Sequence, residues 1–184
     1  MNKDKRYGLA LSLLLLASVS VNFILARKLN RLTVLSRLDG ALEIGASAPP
    51  LKVSDLSGRL TQINILGQSK PTVLYVFTPS CIWCRRNESS IKYLADHAGQ
   101  QYRFIALSLT HVGLPEYVRK HELGFPIFCD PDDQTLSVYK LSSTPEMLVV
   151  SLRGNVLKNW VGAFAGRTQT EINNFFSVNL PNIN

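Results

Sequence analysis

The sequence predicts an α/β fold in which a mixed β-sheet is flanked by helices, preceded by an N-terminal transmembrane helix. Three observations predict it. Residues 7–26 form an uncharged apolar run, strand and helix periodicities alternate from residue 51 onward, and the last two predicted strands are joined by a tight turn. A chain of 184 residues suits one domain of ordinary size together with such an appendage.

The apolar run at 7–26 is long enough to cross a lipid bilayer. As a helix its 20 residues would rise about 30 Å, and basic residues bracket it on both sides. A cleaved signal peptide is the alternative, but Ile24-Leu25-Ala26 is a poor cleavage site because the third residue back is large. We therefore predict a cytoplasmic tail at 1–6 and a retained transmembrane anchor at 7–26.

Residues 27–43 are predicted to form a stalk, because Leu29, Leu32 and Leu35 repeat at the spacing of a short amphipathic helix. Turn-forming residues then mark the start of a domain predicted over 44–184. The positive-inside rule gives no orientation, since basic residues lie on both sides of the apolar run. A short N-terminal tail favours the cytoplasm, which predicts a single-pass protein of the inner membrane whose domain is periplasmic or extracytoplasmic.

The elements of the domain follow from hydrophobic periodicity and turn residues. The run 71–77 is uncharged and rich in β-branched and aromatic residues, which is typical of a central buried strand. The turn at 153–155 joins the last two strands into an antiparallel hairpin. The other strands are predicted within 51–58, 60–66, 103–110, 125–130, 146–152 and 156–164, and the helices at 82–98, 114–123, 133–141 and 169–178.

The net charge of +7 is concentrated near the N-terminus. Residues 1–39 carry seven basic and two acidic residues, whereas residues 40–184 carry thirteen and eleven. The domain also has no run of more than two Lys or Arg residues. This distribution bears on membrane orientation and argues against nucleic-acid binding.

Two of the three cysteines form a closely spaced pair. Cys81 lies where the strand at 71–77 ends and a helix begins, and Cys84 follows one helical turn later, within reach of a disulfide. Backbone N–H groups and the helix dipole favour a thiolate at Cys81, whose pKa should fall below the free value of about 8.5. Arg85 and Arg86 would stabilise that thiolate further. The pair is therefore predicted to be redox-active, with Cys81 as the nucleophile and Cys84 as the resolving cysteine.

A zinc site, a structural disulfide and a chance spacing are the alternative interpretations of the cysteine pair. Structural zinc needs four ligands, and the sequence has neither a second cysteine pair nor a close pair of histidines. We therefore predict no metal. Cys129 stands alone in an apolar run, which is typical of a small buried side chain.

Thr144 and Pro145 directly precede the predicted strand at 146–152. Proline is awkward inside a strand unless it serves a special turn, and cis peptide bonds occur almost only before proline. Together with the cysteine pair, this indicates a cis-proline loop facing the disulfide, where the backbone of Thr144 could pair with the extended chain of a partner. An ordinary trans-proline at a strand edge is the alternative.

Four motifs occur in a fixed order, namely IGASAPPLKVSDLSG, PTVLYVFTPSCIWCRRN, FPIFCDPD and STPEMLVVSLRGNV. In that order they resemble the membrane-anchored thioredoxin-like thiol-disulfide oxidoreductases of TlpA, ResA and MauD type, within the redoxin (AhpC-TSA) superfamily, over about residues 44–178. The resemblance implies a thioredoxin-like fold, Cys81 and Cys84 as the redox pair, Pro145 as the cis-proline, and an exported domain tethered by the N-terminal helix.

The same resemblance implies an enzyme that exchanges disulfides with exported, cysteine-containing client proteins. It implies an electron donor in the membrane, and no cofactor beyond the redox-active disulfide. Trp83, between the cysteines, joins Thr144 and Pro145 as a candidate for binding the client.

Two positions depart from the family. Where thioredoxins carry a buried acid six residues before the first cysteine, this chain has Tyr75. The acid that ResA-type proteins place three residues after the second cysteine is Asn87 here. Glu88 is then the candidate for proton transfer, and an exposed helix glutamate without such a role is the alternative.

Two other classes of function remain open. Thr78, three residues before Cys81, resembles the peroxiredoxin pattern, with Arg119 or Arg153 as the activating arginine, although Leu74 stands where that pattern has a proline. A non-enzymatic assembly chaperone or copper-handling module on the same fold is the other class. Copper carriers of this fold usually space their cysteines three apart and add a histidine ligand, unlike this chain.

Overall fold

The computed structural model describes residues 18–23, 25 and 42–183. Residues 18–23 and 25 are helical. The predicted tail at 1–6, most of the predicted anchor and nearly all of the predicted stalk lie outside the described residues. In the part of the chain that the structure describes, no helix is both long and apolar enough to cross a membrane.

Residues 42–183 fold into alternating strands and helices. The strands are β1 (Leu51–Ser54), β2 (Leu60–Ile63), β3 (Thr72–Phe77), β4 (Arg103–Ser108), β5 (Ile127–Cys129), β6 (Glu146–Val150) and β7 (Val156–Val161). The helices are α1 (Ile82–Arg86), α2 (Glu88–Ala98), α3 (Leu114–His121), α4 (Asp133–Tyr139) and α5 (Gly166–Phe176).

All seven strands belong to one mixed sheet with the order β2-β1-β5-β4-β3-β6-β7. β3 pairs with β4, and β4 with β5, in parallel, whereas β6 runs antiparallel to both β3 and β7. β3 is buried along its whole length, as expected of a strand with neighbours on both sides and helices above and below it. The predicted α/β fold with a mixed sheet is confirmed.

Side chains alternate between the two faces of the sheet and build a hydrophobic core on each. On one face Tyr75 packs in a cluster with Ile91 of α2 and Ile172 of α5. On the other face Leu74 packs in a cluster with Tyr139 of α4. Both faces of the sheet are therefore covered by helices, as predicted.

All four predicted helices differ from the observed ones at a boundary, and two of them differ most. The helix expected over 82–98 is interrupted at Asn87, where α1 ends and α2 begins. The last helix starts at Gly166 rather than at Gln169, and it ends before Ser177, whose left-handed backbone (φ 56°) closes it. At the first difference Asn87 keeps helical backbone angles, φ −77° and ψ −7°, and its side chain makes tertiary contacts that periodicity does not reveal.

Candidate active site

The cysteine pair lies at the carboxyl end of β3, where the chain leaves the sheet and enters α1. Cys81 and Cys84 are joined by a disulfide, with their Cα atoms 5.2 Å apart. Cys81 is the N-cap residue of α1 and is half-buried, whereas Cys84 in the first turn is fully buried. An incoming sulfur can therefore reach Cys81, while Cys84 faces the core.

The backbone around Cys81 is arranged to hold negative charge on its sulfur. The N–H of Cys84 donates a hydrogen bond to Cys81 Sγ at 3.0 Å. Such a donor, together with the free N–H groups at a helix start, favours thiolate over thiol once the disulfide is reduced. Arg85 and Arg86 follow in the same turn and are exposed, which reduces their effect through solvent screening.

The peptide bond between Thr144 and Pro145 is cis. Pro145 is buried and directly precedes β6, whose first residue, Glu146, pairs with Val76 near the end of β3. The cis-proline loop, which leads into β6, and the cysteine loop, which follows β3, therefore lie at the same end of these two paired strands. Thr144 is half-buried there.

Trp83 is about half exposed, at 49%, between the two cysteines. The guanidinium of Arg86 lies 4.8 Å from the centre of its ring, in the range of a cation–π contact. The guanidinium covers one face of the ring, and the rest of the half-exposed side chain stays open to solvent beside the disulfide, which suits the predicted role of Trp83 in binding a client.

Asn87 ties the cysteine helix to the cis-proline loop. Its fully buried side chain donates from Nδ2 to the carbonyl of Gly162 (3.2 Å) and accepts through Oδ1 from the N–H of Phe164 (2.9 Å). The N–H of Gly162 in turn donates to the carbonyl of Pro145 (2.8 Å). Asn87 therefore connects the segment carrying Cys84 with the loop carrying Pro145, in the position where ResA-type proteins were expected to carry an acid.

Tyr75 stands where thioredoxins carry a buried acid, but its phenol donates a hydrogen bond and does not accept a proton. Its hydroxyl donates a hydrogen bond to the carbonyl of Cys84 at 3.3 Å, and burial raises the pKa of this phenol. A phenol held neutral in this way cannot accept a proton from a thiol near neutral pH. It serves instead as a hydrogen-bond donor beneath Cys84.

Glu88 is mostly buried and is held by His121 and Lys92, so it is not a solvent-facing helix residue. Its carboxylate lies 2.5 Å from Nδ1 of His121 and 2.7 Å from Nζ of Lys92. His121 stacks on the ring of Tyr117 at 4.2 Å between ring centres, and burial together with Glu88 raises the pKa of Tyr117 to about 12. The arrangement keeps Glu88 as the candidate for proton transfer, a role that stays a prediction.

Glu146 is a buried acid that the sequence analysis did not single out. It follows Pro145 directly, is 1% exposed, and accepts a hydrogen bond from Nδ2 of Asn159 at 2.9 Å. Burial raises its pKa from the ordinary 4.5 to about 7, and the bond from Asn159 opposes the shift. Its side chain lies on the sheet face of Val76, opposite to that of Tyr75, since neighbouring residues of a strand alternate between faces.

This buried acid predicts a pH-dependent loss of stability. The unfolded chain releases the Glu146 proton near its ordinary pKa of 4.5 and the folded chain near 7, so the free energy of unfolding should fall as the pH rises between these values. The total loss from this group is about 3 kcal/mol. Glu146→Gln should remove this pH-dependent part of the free energy of unfolding and so raise stability at pH 8. Urea unfolding at a series of pH values measures the effect. An unchanged pH profile in the variant would contradict the prediction.

The chain matches the family model described as AhpC/TSA over residues 44–159. It is 26% identical over 101 residues to the "Thioredoxin-like protein" of Haemophilus influenzae, covering 55% of this chain and 60% of that protein. It is 23% identical over 127 residues to "Thiol-disulfide oxidoreductase ResA" of Bacillus cereus, covering 66% of this chain and 71% of that protein.

Solved structures resemble the fold over most of the domain. The putative thiol:disulfide interchange protein DsbE from Chlorobium tepidum superposes with a TM-score of 0.61 at 17% identity, covering 74% of this chain and 98% of that one. StoA from Bacillus subtilis superposes with a TM-score of 0.54 at 16% identity, covering 68% and 98%. At these identities the similarity shows a shared thioredoxin-like fold.

Proposed function

We propose that this chain, which belongs to the AhpC/TSA family and is a thioredoxin-like redox enzyme, exchanges disulfides with exported, cysteine-containing client proteins. One observation carries this function. Cys81 and Cys84 form a disulfide at the start of α1, with Cys81 accessible and Cys84 buried behind it.

The exchange proceeds in two steps that conserve electrons and atoms. In the reduced protein the Cys81 thiolate attacks one sulfur of a client disulfide, which forms a mixed disulfide and releases a client thiolate. The Cys84 sulfur, deprotonated, then attacks the sulfur of Cys81 and releases the second client thiolate. The client gains two electrons and the pair becomes the Cys81–Cys84 disulfide. The same steps in reverse oxidise a dithiol client.

A tether to the inner membrane is part of the proposal, and it is supported by the sequence of residues 7–26. Twenty residues without a charge, bracketed by basic residues, suit a single span that leaves the redox domain outside the cytoplasm. That side of the membrane is where disulfides form and persist, and a membrane electron donor would then return the pair to its starting state. Protease treatment of intact spheroplasts should digest the domain, whereas its protection would contradict this orientation.

The distinction from a thiol peroxidase can be measured directly. Arg153, one candidate for the activating arginine, lies in the β6–β7 turn, at the opposite end of β6 from Pro145. Arg119, the other, is exposed on α3. The reduced full-length chain should therefore reduce a protein disulfide far faster than it consumes hydrogen peroxide. Fast peroxide turnover that survives Cys84→Ser would contradict the proposed exchange.

Thr144→Arg should slow the reaction with a protein client more than it slows disulfide exchange with a small dithiol. A long charged side chain would obstruct the loop where an extended client chain is expected to pair with the backbone of Thr144. The rate with a protein client should fall by about tenfold or more, while the rate with dithiothreitol stays within about twofold. Ser142→Arg, at an exposed position two residues earlier, is the matched control. Equal losses of rate with both substrates would show that Thr144 has no specific role in client binding.

A further inference from the structure

A cleft opens directly beside the reactive sulfur, between the loop that precedes Cys81 and helix α3. We call it the basic cleft. Among the residues that line it are Pro79, Ser80, Arg85, Tyr117, Lys120 and His121. Because Ser80 adjoins Cys81 in the chain, a client whose cysteine has reached Cys81 would place its neighbouring residues at the mouth of this cleft.

The cleft carries a net positive charge, because Arg85 and Lys120 line it with a single acid, Glu116. Arg85 and Lys120 are exposed, and neither forms a salt bridge with any carboxylate in the described part of the chain. Glu88, which lines a neighbouring groove, is already paired with His121 and Lys92. An excess of cations around a binding site attracts a ligand of opposite charge.

The positive charge continues past Arg85 into that neighbouring groove. That groove is lined by Arg85 and by Arg86, which is also exposed and whose guanidinium covers Trp83. Positive side chains thus stand on both sides of the turn that carries the disulfide.

Exposed apolar side chains accompany these charges. Ile82 is 58% exposed and lines the neighbouring groove, and Val112 is 71% exposed and lines the basic cleft. Trp83 lies between the cysteines. Large apolar side chains that stay exposed together beside a reactive group are typical of a surface that another protein covers.

Building on the disulfide exchange proposed above, we infer that the basic cleft binds an acidic, extended segment of the client next to the client's reacting cysteine. Asp or Glu residues of that segment would pair with Arg85 and Lys120. A large apolar residue beside them would cover Val112 or Ile82. The cleft thereby selects clients by the charge around their cysteines, since complementary charge mainly accelerates association and excludes partners of the wrong sign.

The test compares two dithiol peptides that differ only in the four residues flanking their cysteines, all Glu in one and all Lys in the other. The oxidised full-length chain in neutral detergent is mixed with each, and the second-order rate of exchange is followed by tryptophan fluorescence. At low salt the Glu peptide should react about tenfold faster or more, and the advantage should shrink as salt screens the charges.

Arg85→Gln combined with Lys120→Gln should abolish the preference for the Glu peptide. Arg119→Gln removes another exposed cation of α3, one that does not line the cleft, and it should keep the preference. The rate of reaction with dithiothreitol measures the intrinsic reactivity of the Cys81–Cys84 disulfide in every variant. Equal rates for the two peptides in the unaltered chain, or a preference that persists in the double variant, would overturn the inference. Failure of the unaltered chain to oxidise any dithiol would instead overturn the proposed function.

Discussion

Replacing Cys84 by serine is expected to convert a protein that turns over into one that remains covalently joined to its client. The Cys81 thiolate can still attack a client disulfide, because its N-cap position and the backbone N–H of residue 84 are retained. The sulfur that would release the client is gone, so the mixed disulfide accumulates. Turnover with a protein client should fall by about a thousandfold or more, as expected when one member of a covalent mechanism is removed.

Non-reducing electrophoresis and mass spectrometry of the Cys84→Ser chain should show adducts that dithiothreitol releases. Two controls assign them to the correct sulfur. Adding Cys81→Ser should abolish the adducts, whereas adding Cys129→Ser should leave them, because Cys129 is a buried free thiol, 3% exposed, at the end of β5. Adducts that survive the loss of Cys81 would show that the roles of the cysteines are wrong.

Asn87→Ala is expected to cause the largest loss of stability among single changes near the site that leave both cysteines in place. It removes both hydrogen bonds of the buried amide and leaves the carbonyl of Gly162 and the N–H of Phe164 without partners. Each buried polar group left unsatisfied costs about 1–3 kcal/mol, so the free energy of unfolding should fall by about 2–4 kcal/mol.

The same substitution should also loosen the cis-proline loop, because Asn87 holds that loop through Gly162 and Pro145. Exchange with a protein client should therefore slow more than reaction with dithiothreitol. Urea unfolding and parallel kinetics measure both effects. Ser89→Ala, at an exposed position two residues along, should change stability by less than about 0.5 kcal/mol. A similarly small loss for Asn87→Ala would contradict the role given to this side chain.

Much of the fold follows from local pattern. The central strand 71–77 was visible as an uncharged β-branched run, and the helix after it as a repeat of apolar positions. The tertiary contacts of Asn87 were not visible, because they join it to backbone groups 75 and 77 residues further along the chain. The sequence nevertheless contained a sign that the Asn87 side chain is buried. Asn87 falls on the stripe that also contains Cys84 and Ile91, where a polar residue must find buried partners.

Some features of the candidate site could likewise be predicted from neighbouring residues, and others could not. The position of the cysteine pair between a strand and a helix was predictable, since it rests on neighbouring residues. The pairing of Glu88 with His121 was not, because it joins α2 to α3 across the core, and spacing alone gives no sign of it. Glu146 was overlooked as the start of a strand, because acids are mostly exposed and nothing in the local pattern indicated that this one is buried.

The acidity of the reduced Cys81 thiol shows whether the start of α1 activates this sulfur for disulfide exchange. The rate of alkylation of the reduced full-length chain by iodoacetamide is measured across a pH series, with the modified cysteine identified by mass spectrometry. Cys81 should react first, with a pKa well below the value of about 8.5 for a free cysteine, and Cys84 should react only at higher pH. If both thiols titrate like free cysteine, the start of α1 does not activate Cys81 and the account is wrong.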